Sequence, residues 1–454
     1  MRGDGERPES FWGDEHGAVQ AVVAWAAHRV VSPSNPKTTA RPAADLAADV
    51  GRTVTAAGIG WEAALSAFDQ VLVPATRAQD DPMNLAYVPS APTRSAVAFD
   101  LATSAANIFA GIWEAGAGAI FAENEALSWL VDLLEWPEDA GGCFVSGGTT
   151  GNLSALVTAR EAMHARRGGR PQQGWAVACT DDAHSSIFAA ARVLDVDVVT
   201  VREDERGHLT GSALAPVLDE HDNVFAVVAS AGTTNGGVVD DLADVAAVCG
   251  DRQVWLHVDG AYGGAALAAP SVRHRFVGIE RADSFVVDPH KWLFAPYDCC
   301  ALLYRDPETA RVAHSQHAGY LDALDREQWN PADLATHLSR RARGLPFWFS
   351  LATHGTDRYR DAVEETLTTA REVADGIRRL DHLRLVLGPE LSVLLFERPG
   401  WSEQQYADWS QRLAVDGTLL CVPTRWHGRT VLRLVFVNPQ TRAHSVLDAL
   451  DTLR

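Results

Sequence analysis

Lysine is almost missing from this chain: of its 39 basic residues only Lys37 and Lys291 are not arginine. Arginine stays protonated in proteins, whereas a lysine can shed its proton and act as a nucleophile. A lysine kept in such a background is kept for its amine. Lys37 lies in a polar Ser-Asn-Pro stretch and reads as incidental; Lys291 does not. Positive charge of any kind is scarce, since 39 Lys+Arg against 59 Asp+Glu leave a formal net charge of −20. Such a field repels phosphate backbones and anionic membranes, which argues against nucleic acid as a partner. No window approaches the roughly 18 continuous apolar residues of a membrane span, and Met1–Ser10 lacks the apolar core of a signal peptide. No membrane partner and a cytoplasmic location are therefore expected. The cysteines Cys143, Cys179, Cys249, Cys299, Cys300 and Cys421 form no CxxC pair. They predict neither a disulfide framework nor a zinc site, and read as small buried apolar side chains.

What is present is the composition of a globular protein: 454 residues, 47% apolar and 22% charged, enough for two or three domains at about 150 residues each. Residues 1–82 read as helices broken by proline (Ala18–Val31, Pro42–Val50, Trp61–Val73), too thin for a core of their own. Residues 83–345 read as a large domain. After a helical stretch over Ser95–Glu135, short β-branched runs alternate with helices: Cys143–Val145, Trp175–Cys179, Val196–Val201, Val224–Ser230, Val254–Val258, Ser284–Val287 and Ala301–Tyr304. That alternation predicts an α/β fold with a mainly parallel sheet whose ligands bind outside the carboxyl ends of the strands. Residues 346–454, with strand pairs Leu383–Leu387/Val393–Glu397 and Thr418–Val422/Thr430–Val437, read as a small α/β domain.

The motifs fall at those strand ends. Cys143-Phe-Val-Ser-Gly-Gly-Thr-Thr-Gly-Asn152 runs into a helix expected near Leu153. Its N–H groups and the hydroxyls of Ser146, Thr149 and Thr150 suit a phosphate at a helix start, though an ordinary glycine-rich turn looks the same. In Asp181-Asp-Ala-His-Ser-Ser-Ile187, His184 either stacks on a flat ring or makes a structural bond at a helix start. Ala231-Gly-Thr-Thr-Asn-Gly-Gly237 either holds a ligand or merely turns the chain. Asp259 closes an apolar strand, where its charge is costly unless a cation meets it. A pyridinium N–H would serve, and so would an arginine. His257 is read as facing the opposite way from Asp259, which sets aside a metal pair. His314-Ser-Gln-His317 is read as solvent-facing, so no metal is expected. The sharpest motif is Asp283-Ser-Phe-Val-Val-Asp-Pro-His-Lys-Trp-Leu293, in which a strand delivers Lys291 beside His290 after a stiffening proline. The apolar flanks Phe285–Val287 and Trp292–Phe294 predict a lowered amine pKa. Phosphate cradle, flat imidazole, carboxylate for a ring nitrogen and carbonyl-seeking lysine together describe a pyridoxal 5'-phosphate site.

With His257–Gly264 reading HVDGAYGG and Asp288–Trp292 reading DPHKW, the chain resembles the group II pyridoxal-phosphate-dependent amino acid decarboxylases. The resemblance runs from Asn84–Ser90 to Leu338–Trp348. It implies the fold type I, aspartate-aminotransferase-like architecture, with a seven-stranded sheet and a homodimer sharing its active sites. It implies Lys291 as the lysine that bonds the cofactor, Asp259 on the pyridine nitrogen and His184 stacked on the ring. Gly148, Thr149 and His290 would hold the phosphate, and Thr233 and Ala261 would line the ring. His317-Ala-Gly-Tyr-Leu321 is similar to a loop whose tyrosine returns a proton to the substrate, which makes Tyr320 the third catalytic residue beside Lys291 and His184. Relatives with phenylalanine there make aldehydes, so Tyr320 favours plain decarboxylation. Tyr87, Ser90, Phe109 and Trp113 lie in segments that line the substrate pocket of aromatic-acting relatives, and imply an aromatic or otherwise apolar L-amino acid. Arg94 would instead receive an acidic side chain. An aldehyde synthase, an aminotransferase or another lyase on the same fold, and a cofactor-free scaffold, are the competing readings. Thr150, Gly151, Pro346 and Asp81 depart from the family pattern.

Overall fold

The computed structural model describes residues 15–37, 39–315 and 328–454. Seven strands form the central sheet: β1 (Gly141–Val145), β2 (Ala176–Cys179), β3 (Asp197–Thr200), β4 (Val224–Ser230), β5 (Trp255–Asp259), β6 (Ser284–Val287) and β7 (Cys300–Tyr304). Their order is β1-β7-β6-β5-β4-β2-β3. Only β7 runs against its neighbours, so the carboxyl ends of β1, β2, β4, β5 and β6 share one edge. The inner strands are continuous apolar runs because helices cover both faces. Along β4, Val227 and Ala229 join one core while Phe225, Ala226 and Val228 join the other. A second, antiparallel sheet is ordered β10-β11-β9-β8 from β8 (Arg384–Leu387), β9 (Val393–Glu397), β10 (Val422–Trp426) and β11 (Arg429–Val435). It packs with helices Thr356–Arg378, Glu403–Asp416 and Ala443–Asp451 around Phe396, Trp409 and Leu432.

Two expectations shift. The strand placed at Thr418–Val422 begins at Val422 instead. His427 and Gly428 both take positive φ (46° and 76°), and such a two-residue turn matches strand twist and brings Trp426 opposite Arg429. The helix expected near Leu153 begins at Gly148, so most of the motif is its first turn. The helices His16–Val31, Ala43–Val50 and Trp61–Ala67 lie close to their expected places, and none of their residues is buried.

Two charge clusters tie distant segments together. The Arg340 guanidinium forks onto Glu123, both contacts at 2.7 Å, with the side chains 1% and 2% exposed. Glu390, between β8 and β9, accepts from His208 at 3.0 Å and from Arg206 at 3.0 Å, joining the two sheets' units. That bond to Glu390, opposed by partial burial and aided by Asp204, raises His208 to about 9.

Removing one partner of a buried pair strands the other charge, so Glu123→Ala should lower unfolding free energy by about 3–5 kcal/mol, read by urea denaturation. His208 is more basic folded than unfolded, so its contribution is complete below about pH 6.5 and fades as pH climbs through about 9. His208→Asn should flatten the fall in melting temperature across that window.

Candidate active site

A cavity of about 320 Å³ opens at the shared strand edge. Five loops build its wall. After β1, the helix Gly148–Arg167 starts without a side-chain cap, leaving first-turn N–H groups aimed outward. After β2, His184 caps the helix Ser185–Leu194, its Nδ1 accepting from the Ser186 N–H at 3.2 Å. After β4, Thr233 turns the chain, its N–H donating to the Val238 carbonyl at 2.8 Å. β5 ends on Asp259. Its Oδ1 accepts from the Ala261 N–H at 3.0 Å and its Oδ2 from Asn152 Nδ2 at 2.8 Å, so its partners are amides and not an arginine. After β6, Pro289 fixes the start of one helical turn, Pro289–Trp292. That turn sets Lys291 Nζ 2.8 Å from Asp288 Oδ2.

The electrostatics correct one expectation. Burial does pull the Lys291 ammonium down, but the Asp288 carboxylate outweighs it and the net shift is upward. Burial works to raise Asp288 as well, and the Lys291 and His290 charges overcome it and hold the carboxyl below its usual range. His290, its Nδ1 2.7 Å from the Cys299 carbonyl oxygen, is pushed down chiefly by burial.

All of Gly148, Thr149, His184, Thr233, Asp259, Ala261, His290 and Lys291 line this one cavity. Tyr87, Ser90, Phe109 and Trp113 do not. The Tyr87 side chain is exposed, Ser90 donates to the Ala295 carbonyl, and Trp113 packs with Ala110, Ile120 and Leu345. Phe109 pairs in an isolated bridge with Arg341, and Arg94 is an exposed side chain reaching the Val31 carbonyl. Tyr320 and His317 lie outside the described residues. His314 is buried against Ser154 and Thr158 and not solvent-facing. His257 and Asp259 were expected on opposite faces of β5; two residues apart they share one, and both reach Asn152. Sequence reasoning passed over Asn152, Asp288, Tyr297 and Asp298 as wall residues. Asp288 carried a signal, a carboxylate three residues before the lysine at a helix start.

The family model for the pyridoxal-dependent decarboxylase conserved domain matches residues 49–398. The chain belongs to that family. It is 32% identical to the aromatic-L-amino-acid decarboxylase of Bacillus atrophaeus over 393 residues, 83% of this chain and 81% of the relative. It is 30% identical to the L-2,4-diaminobutyrate decarboxylase of Rhizobium meliloti (strain 1021) over 411 residues, 87% and 82% of the two chains. The crystal structure of Oryza sativa TDC with PLP and tryptamine superposes with a TM-score of 0.88 at 24% identity, covering 98% of both chains. This likeness shows fold type I.

The protein is thus a pyridoxal-phosphate-dependent amino acid decarboxylase, and its cavity fits the cofactor. The uncapped helix start suits the phosphate, and a Cβ on Gly148 would crowd that cradle, 3.0 Å from Ala261 Cβ and 3.3 Å from Asp288 Oδ2. The departures have local causes. A Cβ on Gly151 would stand 2.8 Å from Val286 Cγ1, while the Thr150 hydroxyl bonds Ser146 at 3.0 Å. Pro346 sits in the first turn of its helix, and Asp81 caps a turn by accepting from the Met83 N–H. Among the described residues no three His, Cys, Asp or Glu side chains group as a metal site, and no helix is long and apolar enough to cross a membrane.

In the unloaded protein, Asp288→Asn should remove the largest of the contributions that oppose burial at Lys291, leaving the weaker one from Asp259. The pH at which an amine reagent labels Lys291 should then drop, read by mass spectrometry, while exposed Lys37 labels as before.

Proposed function

We propose that this decarboxylase removes the α-carboxylate of an aromatic or otherwise apolar L-amino acid as carbon dioxide and releases the amine. The observation that carries this reading is the placement of Lys291 and Asp259 on one cavity wall set, the amine beside an anion and the carboxylate held by amides. Bound there, pyridoxal phosphate supplies an aldehyde carbon for amines and a ring that accepts the electrons freed with carbon dioxide.

The residues divide that work. Gly148 and Thr149 N–H groups, with His290, would hold the phosphate. His184 would stack on the ring, Thr233 and Ala261 would line it, and Asp259 would keep a proton on its nitrogen. Lys291 would be the amine that bonds the aldehyde carbon, with the Asp288 carboxylate paired to it at 2.8 Å. Tyr320 protonates the substrate Cα. The name of the Bacillus relative supports an aromatic substrate. Tyr87 and Phe109, exposed in the single chain, serve the cavity of a second copy in a homodimer. Support for the homodimer comes from Val19, Val22, Trp61, Phe68 and Leu72, apolar side chains left exposed on N-terminal helices with no core of their own. Within the proposed layout, 1–82 is the dimerisation segment, 83–345 the cofactor domain and 346–454 the small domain of a cytoplasmic enzyme.

A panel of the twenty amino acids, assayed separately for carbon dioxide, amine and ammonia, should give equal carbon dioxide and amine from an aromatic member and no ammonia. Lys291→Ala should abolish turnover, and borohydride should no longer fix a pyridoxyl group in that variant. Ammonia with an aldehyde product would overturn the proposal.

A further inference from the structure

Beneath the cavity runs a chain of buried hydrogen bonds whose donors and acceptors follow one from another. Trp255 Nε1–H donates to Ser284 Oγ at 2.9 Å. An indole nitrogen only donates, so the serine hydroxyl hydrogen is free for His257 Nδ1, 2.9 Å away. His257 has no exposed surface. Its Nε2 lies 2.9 Å from Asn152 Oδ1, and because the Asn152 nitrogen faces the Asp259 carboxylate, which only accepts, Nε2 carries the ring hydrogen and donates it to that oxygen. Burial above all holds His257 down at about 4, in keeping with one ring hydrogen and not two.

The Asp259 carboxylate decides which way the Asn152 amide faces, and His257 fits it. Its oxygen is turned to His257, and its Nδ2 donates to Asp259 Oδ2 at 2.8 Å and to Ser186 Oγ at 2.9 Å. Ser186 passes the pattern on. Its main-chain N–H donates to His184 Nδ1 at 3.2 Å, and its hydroxyl lies 2.8 Å from the same nitrogen. A flipped amide would face oxygen to carboxylate at a buried position, where such a pairing is most costly.

We propose that Asn152 is a positioning residue for Asp259, locked in orientation by His257 and Ser284, and that the same amide ties Asp259 to His184 through Ser186. One side chain thereby sets the group at the ring nitrogen and steadies the group on the ring face. This rests on the reading that Asp259 and His184 meet the cofactor ring. Nothing in the chain of bonds touches the reacting atoms, so its effect is on where Asp259 points.

The test uses full-length protein. In cofactor-free protein labelled with 15N-histidine, NMR should show His257 with its hydrogen on Nε2 and not on Nδ1. Asn152→Ala and His257→Phe should each raise the pyridoxal phosphate dissociation constant by about ten-fold or more, the scale of a lost bond to a charged group. His257→Gln offers Asn152 a donor and Ser284 an acceptor, and should restore binding to within about three-fold of wild type. A hydrogen on Nδ1 of His257, or unchanged binding in Asn152→Ala, would overturn the proposal. Should His257→Phe not fold, the wild-type tautomer and Asn152→Ala decide alone. Asp259→Ala separates the two layers of argument. If it binds as wild type does, the ring assignment itself fails; if it binds weakly while Asn152→Ala binds normally, only the positioning role fails.

Discussion

Two carboxylates close neighbouring buried strands, Asp259 on β5 and Asp288 just after β6, and a buried charge persists only where donors or a counter-charge meet it. Each is met differently. Asp259 takes amide N–H groups from Ala261 and Asn152, which fix its direction without cancelling its charge. Asp288 takes the Lys291 ammonium, which does cancel it. The floor of the site thus holds one anion whose charge is left uncancelled and one anion paired with the lysine ammonium. Everything around them, from the uncapped helix at Gly148 to the turn at Pro289, holds these two charges at one edge.

The scaffold explains how such an edge is kept. Both faces of the sheet are sealed by apolar clusters, so β5 and β6 have no route to solvent except at their ends. The Glu123–Arg340 fork pins the segment that follows residues 316–327 to the helix Trp113–Leu134, and Glu390 clamps the small sheet to the loop at His208. These ionic joints cross between elements far apart in sequence, where a slip would move the cavity wall.

Much of this was legible in the residues. Alternating strands and helices placed the sheet and its functional edge, because a parallel strand buried on both faces reads as an unbroken apolar run. The near-absence of lysine singled out Lys291. The hairpin β10–β11 was misplaced because its register depends on the His427–Gly428 turn and not on apolar content, which is similar on either side. The acidity of Lys291 was misjudged because apolar flanks were visible in sequence, while the facing carboxylate depended on how one helical turn folds back.

Which chemical groups stand at the strand ends was determined by the sequence alone, since each follows its own strand within a few residues. What surrounds them was decided only by the tertiary structure. Asn152 reaches Asp259 from 107 positions away, and Glu123 meets Arg340 from 217 away. Local patterns carry no trace of such pairings, because in a buried interior the partner is chosen by which elements pack together, and that choice sets the charge and direction of the groups in the site.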